Sequence, residues 1–294
     1  GGRGMGGAVS DHRTGGAGWM DWQAQGTRLS ANLLYENSWD DLFVEVSHGP
    51  YVVDHNILLS PLSIKDRSQG GAFLYNLVAG CIDQAPVPNR FTFYHYPHST
   101  QVAGLMTVLG GDNRYIGNLF APPPEGRAVN PVSRQVSSRE PVYGTAVYKG
   151  FPTAGDHWYE GRTPDDYATM KLPVSIADNV YCNGAVPYER EDGSVVLPDV
   201  DPALRLETEG GAVRLVMTVD DSLLQTRLAV ATGKDLGQAF EPEAPYRNPD
   251  GTTLWFGTDY FGQECGGARF AGPFRELSAG RREFLLWPHP RRQE

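Results

Sequence analysis

The chain has 294 residues, with 25 Lys and Arg against 35 Asp and Glu and a formal charge of −10. That acidic balance, with four lysines among the basic residues, argues against a nucleic-acid surface or an anionic membrane as partner, and no stretch approaches the roughly 18 apolar residues of a transmembrane helix. Glycine (35) and proline (22) are frequent and favour short strands and turns, while three scattered cysteines (Cys81, Cys182, Cys265) suggest neither a disulfide framework nor a zinc site.

Eight of the first eighteen residues are glycine, so 1–18 reads as a Gly-rich leader or a cut end and is set aside from the fold. From there a short phrase recurs, an Asn followed by two apolar residues: Asn32-Leu33-Leu34, Asn56-Ile57-Leu58, Asn76-Leu77-Val78, Asn118-Leu119-Phe120 and Asn179-Val180-Tyr181. The spacings are 24, 20, 42 and 61 residues, and the last two read as about two and three periods. Gly, Pro, Asp and Ser clusters separate the phrases, and helical periodicity is nearly absent. A 20–24-residue period without helices predicts a parallel β-helix over 19–192, its Asn side chains aligned in a hydrogen-bonded ladder at a turn. Residues 122–166 read as a loop excursion over the helix surface. From 193 to 294, short strands such as Ala203–Glu207 and Val213–Val219 alternate with turns and predict an antiparallel β-sandwich.

In the repeat frame Asp21 lies eleven residues before Asn32, and Glu45 lies eleven before Asn56. The two acids therefore take equivalent positions on successive rungs, and neighbouring strands lie ~4.7–4.9 Å apart. Carboxyl groups on the order of 5 Å apart match a retaining glycosidase, in which one acid attacks the sugar and the other handles protons. Two acids that close repel, so one is expected to hold its proton near neutral pH, as a general acid must. Stacked carboxylates can instead bind Ca²⁺; no other cofactor is expected. Trp19 and Trp22 flank Asp21 as platforms for a sugar ring, Gln25 and His48 follow the two acids, and Leu42, Phe43, Val44 and Val46 surround Glu45 with apolar residues.

The segments Trp19–Arg28, Asp41–Pro50, Asp66–Ala72, Tyr94–Thr100, Asn248–Gly251 and Thr258–Gly262 resemble glycoside hydrolase family 120. This family comprises β-xylosidases built as a right-handed parallel β-helix with a β-sandwich. The resemblance implies Asp21 as nucleophile and Glu45 as acid/base, with Trp19, Gln25, His48 and His98 as substrate contacts. It implies oligosaccharide substrates carrying xylose at their non-reducing ends. For Tyr94, Asp66 and Ser68 it does not separate binding from support. Ser47 stands where the family has Asn, one extra residue lies between Asp21 and Glu45, and the family's earlier rungs, with a His-Glu pair lining the sugar subsite, have no counterpart before Asp21. The sequence therefore reads as the C-terminal portion of such an enzyme, with an open helix end that would accept a second copy or a second chain. The competing readings are a glycosidase for another sugar, such as an arabinofuranoside or a fucoside, and a non-catalytic carbohydrate-binding or structural β-helix fragment.

Overall fold

The computed structural model describes residues 9–11, 17–124 and 141–288; within the Gly-rich start, only strand β1 (Val9–Asp11) and the residues from 17 onward are among them. The chain winds into a coil whose turns each add a strand to three parallel sheets. One turn carries β2 (Gly18–Met20), β3 (Arg28–Ser30) and β4 (Leu33–Tyr35). The next carries β5 (Leu42–Glu45), β6 (Tyr51–Asp54) and β7 (Ile57–Leu58), and the third β8 (Leu62–Arg67), β9 (Gly71–Leu74) and β10 (Leu77–Val78). The fourth begins with β11 (Cys81–Gln84), is interrupted by an antiparallel hairpin of β12 (Val87–His95) and β13 (Val102–Val108), and resumes with β14 (Arg114–Ile116) and β15 (Leu119–Phe120). Strands β16 (Ser175–Ala177), β17 (Val180–Cys182) and β18 (Val195–Leu197) complete the parallel stacks. A front sheet is thus ordered β11-β8-β5-β2, a side sheet β16-β14-β9-β6-β3 and a long sheet β1-β4-β7-β10-β15-β17-β18.

The expected ladder stands at the corner between the side and long sheets. Asn32 Nδ2 donates to Asn56 Oδ1 (2.9 Å), Asn56 to Asn76 (3.0 Å), Asn76 to Asn118 (2.9 Å) and Asn118 to Asn179 (2.8 Å). Each acceptor oxygen also takes the backbone N–H of the preceding Asn, so one amide satisfies two buried donors. The residue before each Asn (Ala31, His55, Tyr75, Gly117, Asp178) has φ between 53 and 63°, the left-handed kink that turns the corner. Glu191 ends the ladder by accepting from Asn179 Nδ2 at 2.8 Å.

Two details differ from the sequence expectation. Asn76 and Asn118, 42 residues apart, are direct neighbours, and Leu77 pairs with Leu119. Asn118 and Asn179, 61 apart, are neighbours as well. The long gaps are therefore single turns enlarged by insertions, not two or three periods, because a ladder bond requires adjacent strands. Strand β18, expected in the sandwich, instead pairs parallel with β17 in the long sheet.

The Asn-apolar-apolar phrase now has a packing reason. In the long sheet the first apolar residue points outward and the second into the coil, since side chains alternate along a strand. Leu34, Leu58, Val78, Phe120 and Tyr181 fill the coil with Leu42, Val44 and Ile64 from the front sheet. Leu33, Ile57, Leu77, Leu119 and Val180 lie on the opposite face, beneath Leu215, Met217 and Val219. Each such side chain contributes roughly 1.5–3 kcal/mol by leaving water. At the corner between front and side sheets, Gly49 (φ 69°) sits against Gly70, whose carbonyl oxygen would lie 2.1 Å from an added Cβ. No larger residue fits there without moving the backbone.

The C-terminal half supplies one three-stranded antiparallel sheet, β19 (Arg205–Glu209), β20 (Ala212–Val219) and β25 (Gly280–Trp287), whose partner layer is the coil's long sheet. Two small pairs accompany it, β21 (Arg227–Ala229) with β24 (Ala268–Phe270) and β22 (Gln238–Ala239) with β23 (Ala244–Pro245). A separate cluster of Ala231, Leu236, Tyr246, Leu254 and Phe256 covers the side sheet at Val52, Ala72 and Leu74. The C-terminal half thus packs on the outer faces of the side and long sheets. Among the described residues no helix is long and apolar enough to cross a membrane.

Candidate active site

The front sheet keeps an outer face of polar and aromatic side chains. In β5 the alternation buries Leu42 and Val44 completely and turns Phe43 and Glu45 outward. Of the apolar neighbours expected to surround Glu45, Leu42 and Val44 therefore line the coil interior, on the opposite side of the strand from its carboxyl group, whereas Phe43 shares its outer face. On the outer face Trp19 stacks on Phe43 with ring centroids 5.8 Å apart, and Lys65 Nζ lies 4.4 Å from the Phe43 ring centre.

Gly18 pairs with Leu42, Trp19 with Phe43 and Met20 with Val44. Asp21 is one step beyond the last pair, at the same 24-residue offset from Glu45. Immediately after each acid the backbone turns left-handed, at Trp22 (φ 28°) and Val46 (φ 42°). A β-branched residue there is strained, and such strain collects at functional sites. Asp21 is exposed, and the Glu45 side chain retains 17% exposure. One Glu45 oxygen accepts from Trp19 Nε1 at 3.1 Å, and the other is ion-paired with Arg90.

Arg90 comes from the hairpin and had no sequence signal beyond the alternation of β12, which turns Phe91 and Phe93 to solvent. Its guanidinium lies 4.7 Å from the Trp22 ring centre, so it touches both acid-bearing turns. Three side chains expected at the substrate belong partly or wholly to this hairpin. Gln25 binds the His95 backbone at both ends of its amide, accepting from N–H at 2.7 Å and donating to the carbonyl at 3.4 Å. His48 is buried; its Nε2–H donates to the Thr92 carbonyl (3.2 Å) and its Nδ1 accepts from Gln69 Nε2 (3.0 Å). Burial pushes the imidazole down to about 4, against the opposing pull of the Thr92 and Met106 backbone, so His48 is neutral at pH 7. Gln25 and His48 thus anchor the hairpin, because their polar atoms are already used by the protein. His98 lies exposed in the hairpin loop, in no hydrogen bond with the other candidates. Trp19, 66% exposed, remains open to a ligand.

Tyr94 packs edge-on against His48 with centroids 5.6 Å apart. Asp66 and Ser68 are fully buried: Asp66 accepts from Ser68 N–H (2.9 Å) and Asn113 Nδ2 (2.7 Å), which places them in support. Burial raises the Asp66 carboxyl above its ordinary range, offset by those hydrogen bonds. Among the described residues no group of three or more His, Cys, Asp or Glu is arranged to hold a metal ion. Two cavities, of about 480 and 450 Å³, lie around Phe151 and Lys171 and include neither Asp21 nor Glu45. Asp21 thus faces solvent at the outer side of the front sheet, while Glu45 lies half-covered beneath Arg90 and Trp19.

No family model and no curated protein matches the chain. Among solved structures, "The complex structure of XylC with xylose" aligns with a TM-score of 0.81 and 39% sequence identity. The alignment covers 92% of this chain and 41% of that one, so the present chain spans about two fifths of its neighbour's length. Nearly all of the described architecture, its β-coil included, is thus similar to a protein seen in complex with xylose.

Proposed function

We propose that this chain is a retaining glycoside hydrolase of the β-xylosidase kind, related to glycoside hydrolase family 120, or a portion of such an enzyme. The observation that carries the proposal is the register of β2 and β5, which sets Asp21, one residue past β2, at the same offset from Glu45 as the paired residues before it. The likeness to a structure holding xylose supports the sugar class. A spacing of ~4.8 Å between adjacent strands is compatible with the ~5–5.5 Å carboxyl separation of a retaining pair. In the first step Asp21 attacks the anomeric carbon while Glu45 gives its proton to the leaving oxygen, and the glycosidic C–O bond breaks as an Asp21 ester forms. In the second, Glu45 takes a proton from water, the resulting hydroxide attacks the same carbon, and Asp21 is released as a carboxylate. Trp19 provides the exposed aromatic face for the sugar ring.

Hydrolysis of aryl β-xylosides by the wild type, Asp21→Ala and Glu45→Ala tests this. Both variants are expected to lose about 10²–10⁴-fold in kcat/KM; equal rates in all three would overturn the assignment. Aryl arabinofuranosides and fucosides in the same assay decide the glycone. The exposed Trp19 ring favours a second reading, carbohydrate binding without turnover. Xylo-oligosaccharide binding that requires Trp19, with no hydrolysis by the wild type, is its expected signature.

A further inference from the structure

The hairpin does more than cover the coil. Its ties include three to the first two turns of the coil: Gln25 on the His95 backbone, His48 on the Thr92 carbonyl, and Arg90 on Glu45. The first two anchors use buried or half-buried groups of the coil, and they fix where the third arrives. Arg90 is then confined between the Trp22 ring, 4.7 Å from its guanidinium carbon, and the Glu45 carboxylate. With Trp19 Nε1 on the other oxygen at 3.1 Å, both Glu45 oxygens have a donor and the carboxylate plane is set from two sides. No other positive side chain is ion-paired with Glu45 among the described residues.

We propose that Arg90 is a positioning residue for Glu45, acting in the half-reaction in which Glu45 works as a base. This rests on the glycosidase reading above. A hydrogen bond from a guanidinium is charge-assisted and strongest when the carboxyl group is ionised. Glu45 begins the second half-reaction ionised, with Asp21 esterified and unable to compete for the cation. Arg90 then holds the base toward the water that must lose its proton. In the first half-reaction Glu45 must carry the proton, and the same contact contributes less. Arg90 consequently divides the two halves of one catalytic cycle.

The two halves separate by leaving group. With 2,4-dinitrophenyl β-xyloside departure needs no proton, so the base-assisted second step limits turnover. With phenyl β-xyloside protonation of the leaving oxygen limits it. Arg90→Ala is expected to lower kcat on the dinitrophenyl substrate by roughly 10- to 100-fold and to leave kcat/KM on the phenyl substrate within about 3-fold. Arg90→Lys, which keeps the charge, should recover part of the loss. Azide should restore turnover of Arg90→Ala on the dinitrophenyl substrate, because it attacks the anomeric carbon and displaces Asp21 with no proton to remove; the product is xylosyl azide. Equal losses on both substrates without azide rescue would make Arg90 merely structural and overturn the proposal, as would unchanged kinetics on both. Arg90→Gln, with melting temperature measured alongside, serves if the alanine variant folds poorly. A wild type that hydrolyses neither substrate would instead remove the glycosidase reading itself.

Discussion

Two sets of carboxyl groups one sheet apart in the same coil have opposite fates. Asp54, at the end of β6 on the side sheet, is fully buried and accepts from Arg28 Nε (2.8 Å) and Nη2 (2.7 Å), Ser30 Oγ (3.0 Å) and His55 Nδ1 (2.6 Å). His55 passes the connection on: its Nε2 accepts from Arg269 Nη1 at 2.6 Å, and Arg269 binds the Phe256, Thr258 and Gly272 carbonyls. Burial alone would raise the Asp54 carboxyl, but the Arg28 and His55 bonds hold it well below the usual range. Burial lowers His55, which suits its neutral role between an acid and a cation. Asp21 and Glu45, on the front sheet, face outward and keep access to solvent. The same device, a carboxylate at a strand end, becomes a staple where the C-terminal half covers the sheet and a solvent-facing group, catalytic on our proposal, on the front sheet.

Replacement of Asp54 should break this contrast most severely. Asp54→Ala strands Arg28, His55 and Arg269 around a buried site and is expected to cost about 3–5 kcal/mol in chemical denaturation. A smaller cost than about 1 kcal/mol would show that Asp54 is no staple. Acid should come next, through His48. Its folded-state value, about 4, lies below the ordinary 6.5. The unfolded chain therefore takes up a proton first, and stability falls as pH drops from about 6.5 to about 4, then levels. The 6.5-to-4 shift corresponds to a contribution of about 3 kcal/mol. Denaturation at pH 7 and pH 4.5 should show a larger loss for the wild type than for His48→Gln, and equal losses would exclude His48 as the cause.

Asn56→Leu removes the acceptor for both the side chain and the backbone N–H of Asn32. About 1–3 kcal/mol is expected for the loss of this shared acceptor, read from the denaturation midpoint. The smallest effects should fall on the front sheet. Asp21→Asn should change stability by no more than about 0.5 kcal/mol and Glu45→Gln by no more than about 1 kcal/mol, although both are expected to abolish most hydrolysis. Catalytic residues that are also stability residues would blur the two classes, and a melting curve for each variant decides it.

Much of the coil was legible because a ladder demands the same residue at the same place in each turn. The Asn phrase and the paired positions of Asp21 and Glu45 follow from that local periodicity. The insertions obscured it: the hairpin in one turn and the stretch before β16 in another made single steps look like multiples. The C-terminal strands were legible as short antiparallel elements, but not that their sheet would take the coil as its partner layer, since alternation specifies a buried face without saying what buries it.

The coil, the Asn corner and the register of the two acids are encoded locally, since each depends on residues repeated at short intervals. What those acids meet is set by long-range packing. Arg90 reaches Glu45 across 45 residues, and Arg269 reaches His55 across 214. Contacts over such separations depend on how inserted and terminal segments fold back, and no period in the chain encodes that. Tertiary packing also decided that Gln25 and His48 hold the hairpin, because a polar side chain beside an acid looks the same in sequence whether its partner is a sugar or a backbone carbonyl.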